Sequence, residues 1–357
     1  MIFATTQIMA LQIGRLTARA TRRPRKNAIG SSRRPSSLLL AGSAGSTRSS
    51  IMGSSSVSLR IQEYSARKAA RCTADERETK DPGSARCAWV RDDVGMAEGD
   101  TVLATAIRLH EALSGEVLTR TDFRVPRFAT TDLAGQVVRE VVARGKHLIV
   151  RTDADLSVHS HLGMDGAWRL YDRGERWRGR SFEVRGVLEI ERRVAVGHRL
   201  RRLEVLRASV EPEVLGHLGP DVLGPDWDAA EATRRLTASP DRAVGEALID
   251  QSVMAGPGNV YRSEACFLAG IDPRTPTGTL SDPARLVPLV KSLMERNRAG
   301  GRRVTTDDPR PGHELWVYGR AGRPCRRCGT PIRSFRQGPV TEQRVIFFCP
   351  SCQPSDR

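Results

Sequence analysis

Four cysteines near the carboxyl end of the chain have the spacing of a metal site. Two C-x2-C pairs, separated by 20 residues, consist of Cys325, Cys328, Cys349 and Cys352. Two intervening residues let both thiolates of a pair reach one ion, and two such pairs complete a tetrahedral site. The pattern predicts one structural Zn²⁺ per chain. Disulfides and unpaired buried thiols are the alternatives, and the absence of a convincing secretory signal disfavours disulfides.

The segment between the cysteine pairs predicts a β-hairpin with its turn near residues 337–339, and therefore a zinc ribbon. The hairpin is basic, because it carries Arg333, Arg336 and Arg344, with Phe335 among them. Such side chains suit a DNA groove or its phosphates, and a solvated hairpin face is the equal alternative.

A single lysine stands out in the middle of the chain. Lys146, in the run ARGKHLIV, is the only lysine between residues 97 and 290, where arginine is used at the other basic positions. An ammonium group is compact and its pKa shifts readily, so a lysine kept among arginines suggests a specific role. Chance survival of one lysine is the alternative.

Hydrophobic periodicity predicts a helix followed by a β-rich region. Val102, Ala106, Leu109 and Leu113 recur at helical spacing, and Gly115 provides a stop. Alternating runs punctuated by glycine then predict a two-layer β structure, in particular a sandwich. These runs span residues 117–125, 137–143, 147–152, 166–171 and 182–196.

Two helices joined by a Gly-Pro-Gly-Asn turn are predicted downstream. Residues 211–228 have the proline and glycine content of a linker, and residues 229–298 have a helical pattern. We expect one helix over 243–256 and a second over 260–270, each closed by its last glycine. Such a turn can present backbone N–H groups to a phosphate.

The charge of the chain is unevenly distributed. The 357 residues include 57 Lys and Arg against 41 Asp and Glu, a formal net charge of +16. Residues 1–96 hold 17 basic and 7 acidic side chains, a net of +10, which leaves +6 for residues 97–357. A positive excess favours a polyanionic partner, with nucleic acid ahead of an anionic membrane. No run of about twenty apolar residues is present, so no membrane-spanning helix is predicted.

The first 95 residues differ in composition from the rest. They are rich in Arg and Ser, and the first acidic residue is Glu63. This composition predicts disorder and is also typical of an organellar transit peptide. We favour a mis-assigned start, with translation from Met96, over a real targeting segment or a folded functional one. The predicted organisation is a disordered extension at 1–95 followed by folded domains at 96–215, 226–310 and 318–357.

Four stretches together resemble the formamidopyrimidine-DNA glycosylase and endonuclease VIII family. They are MAEGDTV at 96–102, ARGKHLIV at 143–150, ALIDQSVMAGPGNVYRSEACFLAGIDP at 247–273, and the cysteine-containing stretch at 317–353. The last two are highly specific in combination. The EGDTV start is most similar to the actinobacterial endonuclease VIII-like branch.

The resemblance implies an α+β fold with an N-terminal β-sandwich flanked by helices, a helix-two-turns-helix domain and a C-terminal zinc ribbon. DNA would bind in the cleft between the lobes. The implied activity is that of a bifunctional DNA glycosylase/AP lyase, which excises an oxidised base, expected to be a pyrimidine, and cleaves the abasic strand in base excision repair. The implied partner is damaged double-stranded or single-stranded DNA and no membrane. We expect a cytoplasmic, nucleoid-associated monomer, placed in an organelle only if the extension is real.

The resemblance also implies catalytic roles. The family's nucleophile is the α-amine exposed by removal of the initiator methionine, which attacks C1′ of the damaged nucleotide and forms a Schiff base. That position is Ala97 here, and Glu98 follows as the residue that handles protons. Lys146 would contact the phosphate or the damaged base near the scission point, and Arg344 would hold the flanking phosphate.

DNA-binding roles are implied in the same way. Asn259, with Gly258 before it in the turn, would bind the phosphate of the flipped nucleotide, and Met164 would fill the void left by the extruded base. Simpler alternatives exist: Glu98 as a first-turn helix acid, Asn259 as an N-cap, and Met164 as core packing.

One departure from the family pattern supports a second hypothesis. The family's proline is Ala97 here, so the amine is primary and not secondary. Ala97 is also internal to the 357-residue chain, and an amide nitrogen is not a nucleophile, so activity requires a free amine at Ala97. The alternative function is a non-catalytic damaged-DNA-binding protein that has lost the proline nucleophile. A zinc-ribbon nucleic-acid binder unrelated to repair is a third hypothesis, which the GPGN turn disfavours.

Overall fold

The computed structural model describes residues 97–355, and the predictions made for the 1–95 extension lie outside the described residues. The described helices are α1 (Gly99–Leu113), α2 (Glu211–Leu215), α3 (Ala229–Leu236), α4 (Val244–Ala247), α5 (Asn259–Ala269) and α6 (Pro283–Asn297). The strands are β1 (Arg120–Phe123), β2 (Val138–Arg144), β3 (His147–Thr152), β4 (Leu156–His161), β5 (Ala167–Asp172), β6 (Val184–Glu189), β7 (Arg193–His198), β8 (Arg202–Arg207), β9 (Arg333–Gln337) and β10 (Arg344–Phe348). Short 3₁₀ turns lie at Pro126–Phe128, Ser181–Glu183, Ala208–Val210 and Thr277–Thr279.

The first eight strands form the predicted β-sandwich. One antiparallel sheet has the order β2-β3-β4-β8 and the other has the order β1-β6-β7-β5. Apolar side chains from both sheets meet in one buried core, because inward-facing residues alternate with outward-facing ones along each strand. Members of this core are Val141, Leu148, Val158, Leu188 and Ala195.

Helix α1 covers one flank of the sandwich, as its periodicity predicts. Val102, Ala106, Leu109 and Leu113 are buried in the sandwich core. The helix ends at Leu113, and the ring nitrogen Nδ1 of His110 accepts a hydrogen bond from the backbone of β2. The position of α1 therefore fixes the segment that precedes it, which holds Ala97 and Glu98.

Strands β4 and β8 are absent from the sequence prediction. Strand β4 buries polar side chains on both of its faces, Ser157 and His159 on one and Ser160 on the other, so the strand lacks an apolar signal. The Trp168 indole N–H donates to Ser160 at 3.0 Å. Pairing across the sheet decides this strand, and a single sequence does not show that pairing.

Helices α3 to α6 form a second apolar core, and the predicted linker at 211–228 contains the short helix α2. The helix predicted over 243–256 is wrong, because α4 ends at Ala247. Beyond it, Asp250 accepts hydrogen bonds from the backbone N–H and the hydroxyl of Ser252 at 2.8 and 2.7 Å. Side-chain bonds of this kind compete with the helical ladder. The second predicted helix is confirmed as α5.

Strands β9 and β10 form the predicted hairpin, with residues 338–343 as the connecting loop. A small core that contains Phe267, Val317 and Ile332 together with Cys325 and Cys349 packs the ribbon against α5. Helix α5 therefore touches both the helical core and the ribbon. No described helix has the length and apolarity needed to span a membrane.

Candidate active site

Glu98 lies immediately before α1, fully buried, with its carboxylate against the amino-terminal end of α5. The backbone N–H of Gly258 donates to Oε2 at 2.7 Å, and that of Val260 donates to Oε1 at 2.8 Å. The first N–H groups of a helix have no partner within the helix, and the helix dipole favours an anion there. The side chain makes no capping bond to α1, so the first-turn alternative for Glu98 is wrong.

The turn before α5 is shaped to admit Glu98. A Cβ atom on Gly258 would lie 2.6 Å from Cδ of Glu98, closer than carbon atoms approach, so only glycine fits. Gly99 N also donates to Gly256 O at 2.9 Å, which holds the two segments together. The N–H groups of Gly258 and Val260 are thus used by Glu98, which corrects the expectation that the turn offers them to a phosphate.

Ala97 precedes this carboxylate directly in the chain. Its side chain is 8% exposed and belongs to the sandwich core. Its backbone nitrogen is therefore held within one residue of the buried Glu98. The sequence-predicted pair of nucleophile position and acid is placed together by covalent adjacency and by packing.

Lys146 lies at the tip of the β2–β3 hairpin. Arg144 pairs with His147, so Gly145 and Lys146 form a two-residue turn in which Gly145 has φ +57°. Glycine adopts this conformation without strain. The N–H of Gly145 donates to Oδ2 of the buried Asp221 at 2.7 Å. This bond anchors the tip of the hairpin to the start of the helical domain.

The charges around Lys146 show what the fold brings together. The pKa of Lys146 is lowered to about 8, chiefly by burial; the charges of Arg344 and Arg303 contribute to this lowering, and the carboxylates of Glu98 and Asp100 oppose it. Lys146, Glu98 and Arg344 come from three separate segments of the chain. They act on one another as a single charge cluster, which joins three sequence-predicted site residues.

An ion pair beside this cluster was missed by the sequence analysis. Arg303 binds Asp100 through two bonds of 2.7 and 2.8 Å, and the Tyr261 hydroxyl donates to the same carboxylate at 2.8 Å. The Arg303 guanidinium also stacks 5.3 Å from the centre of the Tyr261 ring. The network ties the first turn of α1 to α5. No local pattern signals it, because Arg303 lies 203 residues from its partner.

Asn259 is the first residue of α5, and Gly258 occupies the N-cap position, so the N-cap alternative for Asn259 is wrong. Its side-chain amide donates to the carbonyl of Val345 in β10 at 2.7 Å. Its side-chain oxygen accepts from Nε of Arg262 at 2.8 Å. The structure therefore joins Asn259 to the ribbon strand that carries Arg344. Sequence reasoning missed Arg262.

Met164 lies in the loop between β4 and β5. Its side chain is 60% exposed, so core packing is wrong for this residue. Gly163 N donates to Nδ1 of His161 at 3.0 Å, and Arg201 of the β7–β8 turn packs directly against Gly163. Burial first, and then the charge of Lys146, lower the pKa of His161 to about 4. The Met164 loop is thus linked through His161 to the neighbourhood of Lys146, and Arg201 is a neighbour that the sequence did not reveal.

The four predicted metal ligands lie together. All four Sγ atoms are within 4.8 Å of one another, with 3.9 Å from Cys325 to Cys352 and 3.5 Å from Cys328 to Cys349. Four thiolates at about 2.3 Å from one zinc ion would be about 3.8 Å apart. A disulfide needs about 2.05 Å, so the disulfide alternative is wrong. The cluster can hold a metal ion of tetrahedral preference.

The arginines of the ribbon divide into two groups. Arg326 and Arg327, between the first two cysteines, turn towards the protein: Arg326 donates to Leu315 O at 3.0 Å, and Arg327 stacks 4.6 Å from the Phe267 ring centre. The hairpin arginines Arg333 and Arg336 are exposed. The first group docks the ribbon. The arginines of the second group are three residues apart in β9, so they lie on opposite faces of the hairpin and are accessible separately.

Comparison with known proteins agrees with this architecture. Residues 96–206 match the formamidopyrimidine-DNA glycosylase N-terminal domain, and residues 218–306 match the formamidopyrimidine-DNA glycosylase H2TH domain, where H2TH denotes helix-two-turns-helix. The chain belongs to the formamidopyrimidine-DNA glycosylase and endonuclease VIII family.

Relatives and solved structures give the same picture. The chain is 52% identical over 261 residues to the probable endonuclease 8 2 of Streptomyces coelicolor, covering 72% of this chain and 94% of that protein. It is 50% identical over 258 residues to the DNA-(apurinic or apyrimidinic site) lyase Nei2 of Mycolicibacterium smegmatis, covering 72% and 99%. The complex of Lactococcus lactis Fpg with abasic-site DNA has the same fold, with a TM-score of 0.62, 24% identity, and coverage of 72% of this chain and 100% of that one.

Proposed function

We propose that this chain is a bifunctional DNA glycosylase/AP lyase of base excision repair, acting on oxidised bases and in particular on pyrimidines. The observation that carries the proposal is the buried Glu98 carboxylate at the start of α5, with Ala97 beside it and the Lys146 charge next to it. Relatives named endonuclease 8 and AP lyase at about half identity support it.

The reaction follows from these groups. The free amine of Ala97 attacks C1′ of the damaged nucleotide, a nitrogen–carbon bond forms, and the bond to the base breaks. Loss of a proton from nitrogen and opening of the sugar give a Schiff base. Removal of a proton from C2′ then expels the 3′ phosphate, and water releases the enzyme. Glu98 accepts and returns the protons, because it is the carboxylate adjacent to the amine.

DNA would be held by residues from all three folded units. We propose that Lys146 binds the phosphate near the scission point, that Arg344 and Asn259 bind flanking phosphates, and that Met164 enters the duplex in place of the extruded base. The exposure of Met164 and the shared charge cluster of Lys146 and Arg344 support these roles.

The active form requires a free amine at Ala97, which replaces the family's proline. A primary amine gives a neutral imine that must be protonated to draw electrons, and the Glu98 carboxylate favours that protonated form. We therefore propose that the active polypeptide begins at Ala97, with domains at 96–215, 226–310 and 318–357.

Borohydride trapping on an abasic-site duplex tests the proposal. Borohydride reduces the Schiff base to a stable amine, so a covalent adduct marks the lyase intermediate. We expect an adduct with chain 97–357 and none with chain 1–357. Tight abasic-site binding without an adduct from either form would instead support the non-catalytic damaged-DNA-binding protein. Mass spectrometry of the amino terminus of the native protein tests the start separately.

The metal and the setting complete the proposal. We propose that the four cysteines hold one Zn²⁺ in a closed thiolate site, so that the ion organises the ribbon and takes no part in the reaction. Metal analysis of the purified protein should give one zinc per chain. We also propose that the enzyme acts on double-stranded or single-stranded damaged DNA as a cytoplasmic, nucleoid-associated monomer.

A further inference from the structure

Arg262, in the second turn of α5, is fully buried, and all three of its bonds go to neutral oxygens. Nε donates to Oδ1 of Asn259 at 2.8 Å, one terminal nitrogen donates to Gly245 O at 3.3 Å, and the other donates to Arg344 O at 3.2 Å. Within residues 97–355 no carboxylate forms an ion pair with it. Buried arginines normally have such a partner, as Arg303 does with Asp100.

The lack of an ion-paired carboxylate argues against a role in stability alone, since Glu98 and Glu246 favour the charge of Arg262 only from a distance. Burial lowers the pKa of Arg262 to about 10, which shows the unfavourable desolvation, and the group still carries its charge at neutral pH. A residue of this kind is expected where its hydrogen-bonding geometry serves a function.

The hydrogen bonds of Arg262 and Asn259 hold two successive carbonyl groups of β10. Arg262 donates directly to the carbonyl of Arg344, and it fixes the amide of Asn259 so that the amide nitrogen donates to the next carbonyl, that of Val345, at 2.7 Å. The guanidinium holds these acceptors with donors on three nitrogens fixed in one plane, a geometry that the three donors on the single nitrogen of a lysine do not reproduce. The backbone of Arg344 is thereby fixed relative to the end of α5 that binds Glu98.

We infer that Arg262 is a positioning residue for the DNA phosphate site: its guanidinium sets Asn259 and Arg344 relative to each other so that both meet the phosphodiester backbone beside the lesion. Arg262 itself does not touch DNA, because it is fully buried. The inference rests on the proposed function, in which Asn259 and Arg344 bind phosphate. It adds the link between the catalytic helix and the zinc ribbon.

Equilibrium binding tests this link without requiring catalysis. The full chain and its variants are titrated against a duplex that contains a tetrahydrofuran abasic analogue, at fixed salt. We expect Arg344→Ala and Arg262→Gln each to weaken binding about tenfold, the size of effect expected when a phosphate contact is lost. In the double variant the loss should stay near that of a single variant, since Arg344 is already misplaced without Arg262.

Two further variants distinguish a positioning role of Arg262 from an effect of its charge and from a general destabilisation of the ribbon. Arg262→Lys keeps the charge and loses the fork, so it should bind as weakly as Arg262→Gln. Arg274→Gln is the matched control, because Arg274 stacks on Phe335 and Phe348 of the same ribbon but is paired with Asp272. It should leave affinity within about twofold, as expected for a site remote from the phosphate contacts.

The outcomes decide the inference. Losses that add in the double variant, or wild-type binding by Arg262→Lys, would overturn it. Zinc content and Tm report whether each variant is folded. If Arg262→Gln does not fold, the binding affinity of Arg262→Lys is compared with that of the wild type instead. Failure of the wild-type chain to bind the duplex would overturn the proposed function itself, and this is seen before any variant is compared.

Discussion

Two buried carboxylates meet helix α5, and they differ in what surrounds them. Glu98 enters from the sandwich and accepts one backbone N–H on each oxygen, from Gly258 and Val260. Glu264 is a residue of α5 itself. Its carboxylate accepts hydrogen bonds from three backbone N–H groups, at 2.8, 2.9 and 2.8 Å, and from the hydroxyl of Thr305. Both are 0% exposed.

The difference shows how a buried carboxylate that accepts backbone hydrogen bonds can serve either catalysis or stability. Glu264 is enclosed by donors from the segment that leads into the ribbon, so its oxygens have no place for a substrate proton. Burial raises the pKa of Glu264, and the hydrogen bonds from Thr305 and the backbone oppose this. Glu98 has only two donors and lies next to Ala97 and the Lys146 ammonium. We therefore propose that Glu98 serves catalysis and that Glu264 serves stability.

The largest expected effect comes from Glu98→Gln. An amide cannot accept and return the proton, so base excision should fall about 10²- to 10⁴-fold, the range for loss of a general acid or base. Affinity for the abasic analogue should change only a few-fold, because the side chain faces α5 and not the phosphates. One α5 N–H then faces the amide N–H, so the free energy of unfolding should also fall, by about 1–3 kcal/mol, and rates are compared for the folded fraction. Single-turnover excision and equilibrium binding measure the two quantities. A variant that excises at the wild-type rate would remove Glu98 from the mechanism.

Glu264→Gln should show the opposite pattern. The amide group presents N–H to backbone N–H donors, so at least one buried donor loses its partner, and the free energy of unfolding should drop by about 2–4 kcal/mol. The rate of the folded fraction should be unchanged. Urea unfolding gives the first quantity, and excision at low temperature gives the second. A stable variant with lost activity would erase the distinction between the two carboxylates.

The pH dependence sharpens the comparison, because only Glu98 has a titrating cation beside it. Lys146, with its pKa lowered to about 8, is charged below that pH and neutral above it. Since the charged form binds phosphate, kcat/KM should fall about tenfold per pH unit above 8. The Ala97 amine acts in the other direction, because it must lose its proton to attack and an α-amine does so near pH 8.

The two titrations together predict a pH profile of kcat/KM with its maximum near 8. Lys146→Arg should remove the falling limb and keep the rising one, since arginine stays charged throughout this range. Steady-state rates from pH 6 to about 9.5 cover both limbs. An unchanged falling limb in Lys146→Arg would show that a different group is responsible.

How far the sequence predicts this site depends on the distance between partners. The cysteine pairs, α1 and α5 are predicted because their signals lie within a few residues, as spacing, periodicity or a closing glycine. Glu98 and Asn259 are found through the family resemblance, and Lys146 is found both as the single lysine between residues 97 and 290 and through the resemblance. Resemblance does not say which groups they touch, and so the use of the α5 N–H groups by Glu98 appears only in the fold.

The missed residues share one physical reason. Arg262 and Glu264 are charged residues inside a helix, which a sequence pattern assigns to a solvated face. Arg262 donates to a ribbon carbonyl 82 residues further along the chain, and Glu264 accepts from a hydroxyl 41 residues and from N–H groups 52–54 residues further along. The wrong helix over 243–256 has a related cause, because apolar periodicity was read and the side-chain bonds of Asp250 were not.

The smallest expected effect comes from removing the side-chain hydroxyl that donates to Glu264. Thr305→Val removes the one side-chain donor to Glu264 and leaves three backbone donors in place. The free energy of unfolding should fall by about 1.5 kcal/mol, the lower range for a hydrogen bond to a charged group. Excision should not change, because Thr305 contacts neither Glu98 nor the Lys146 cluster. Urea unfolding and single-turnover excision on the same preparation check both. If excision fell while stability held, Glu264 would transmit more than structural support to α5, and the division between the two carboxylates would have to be withdrawn.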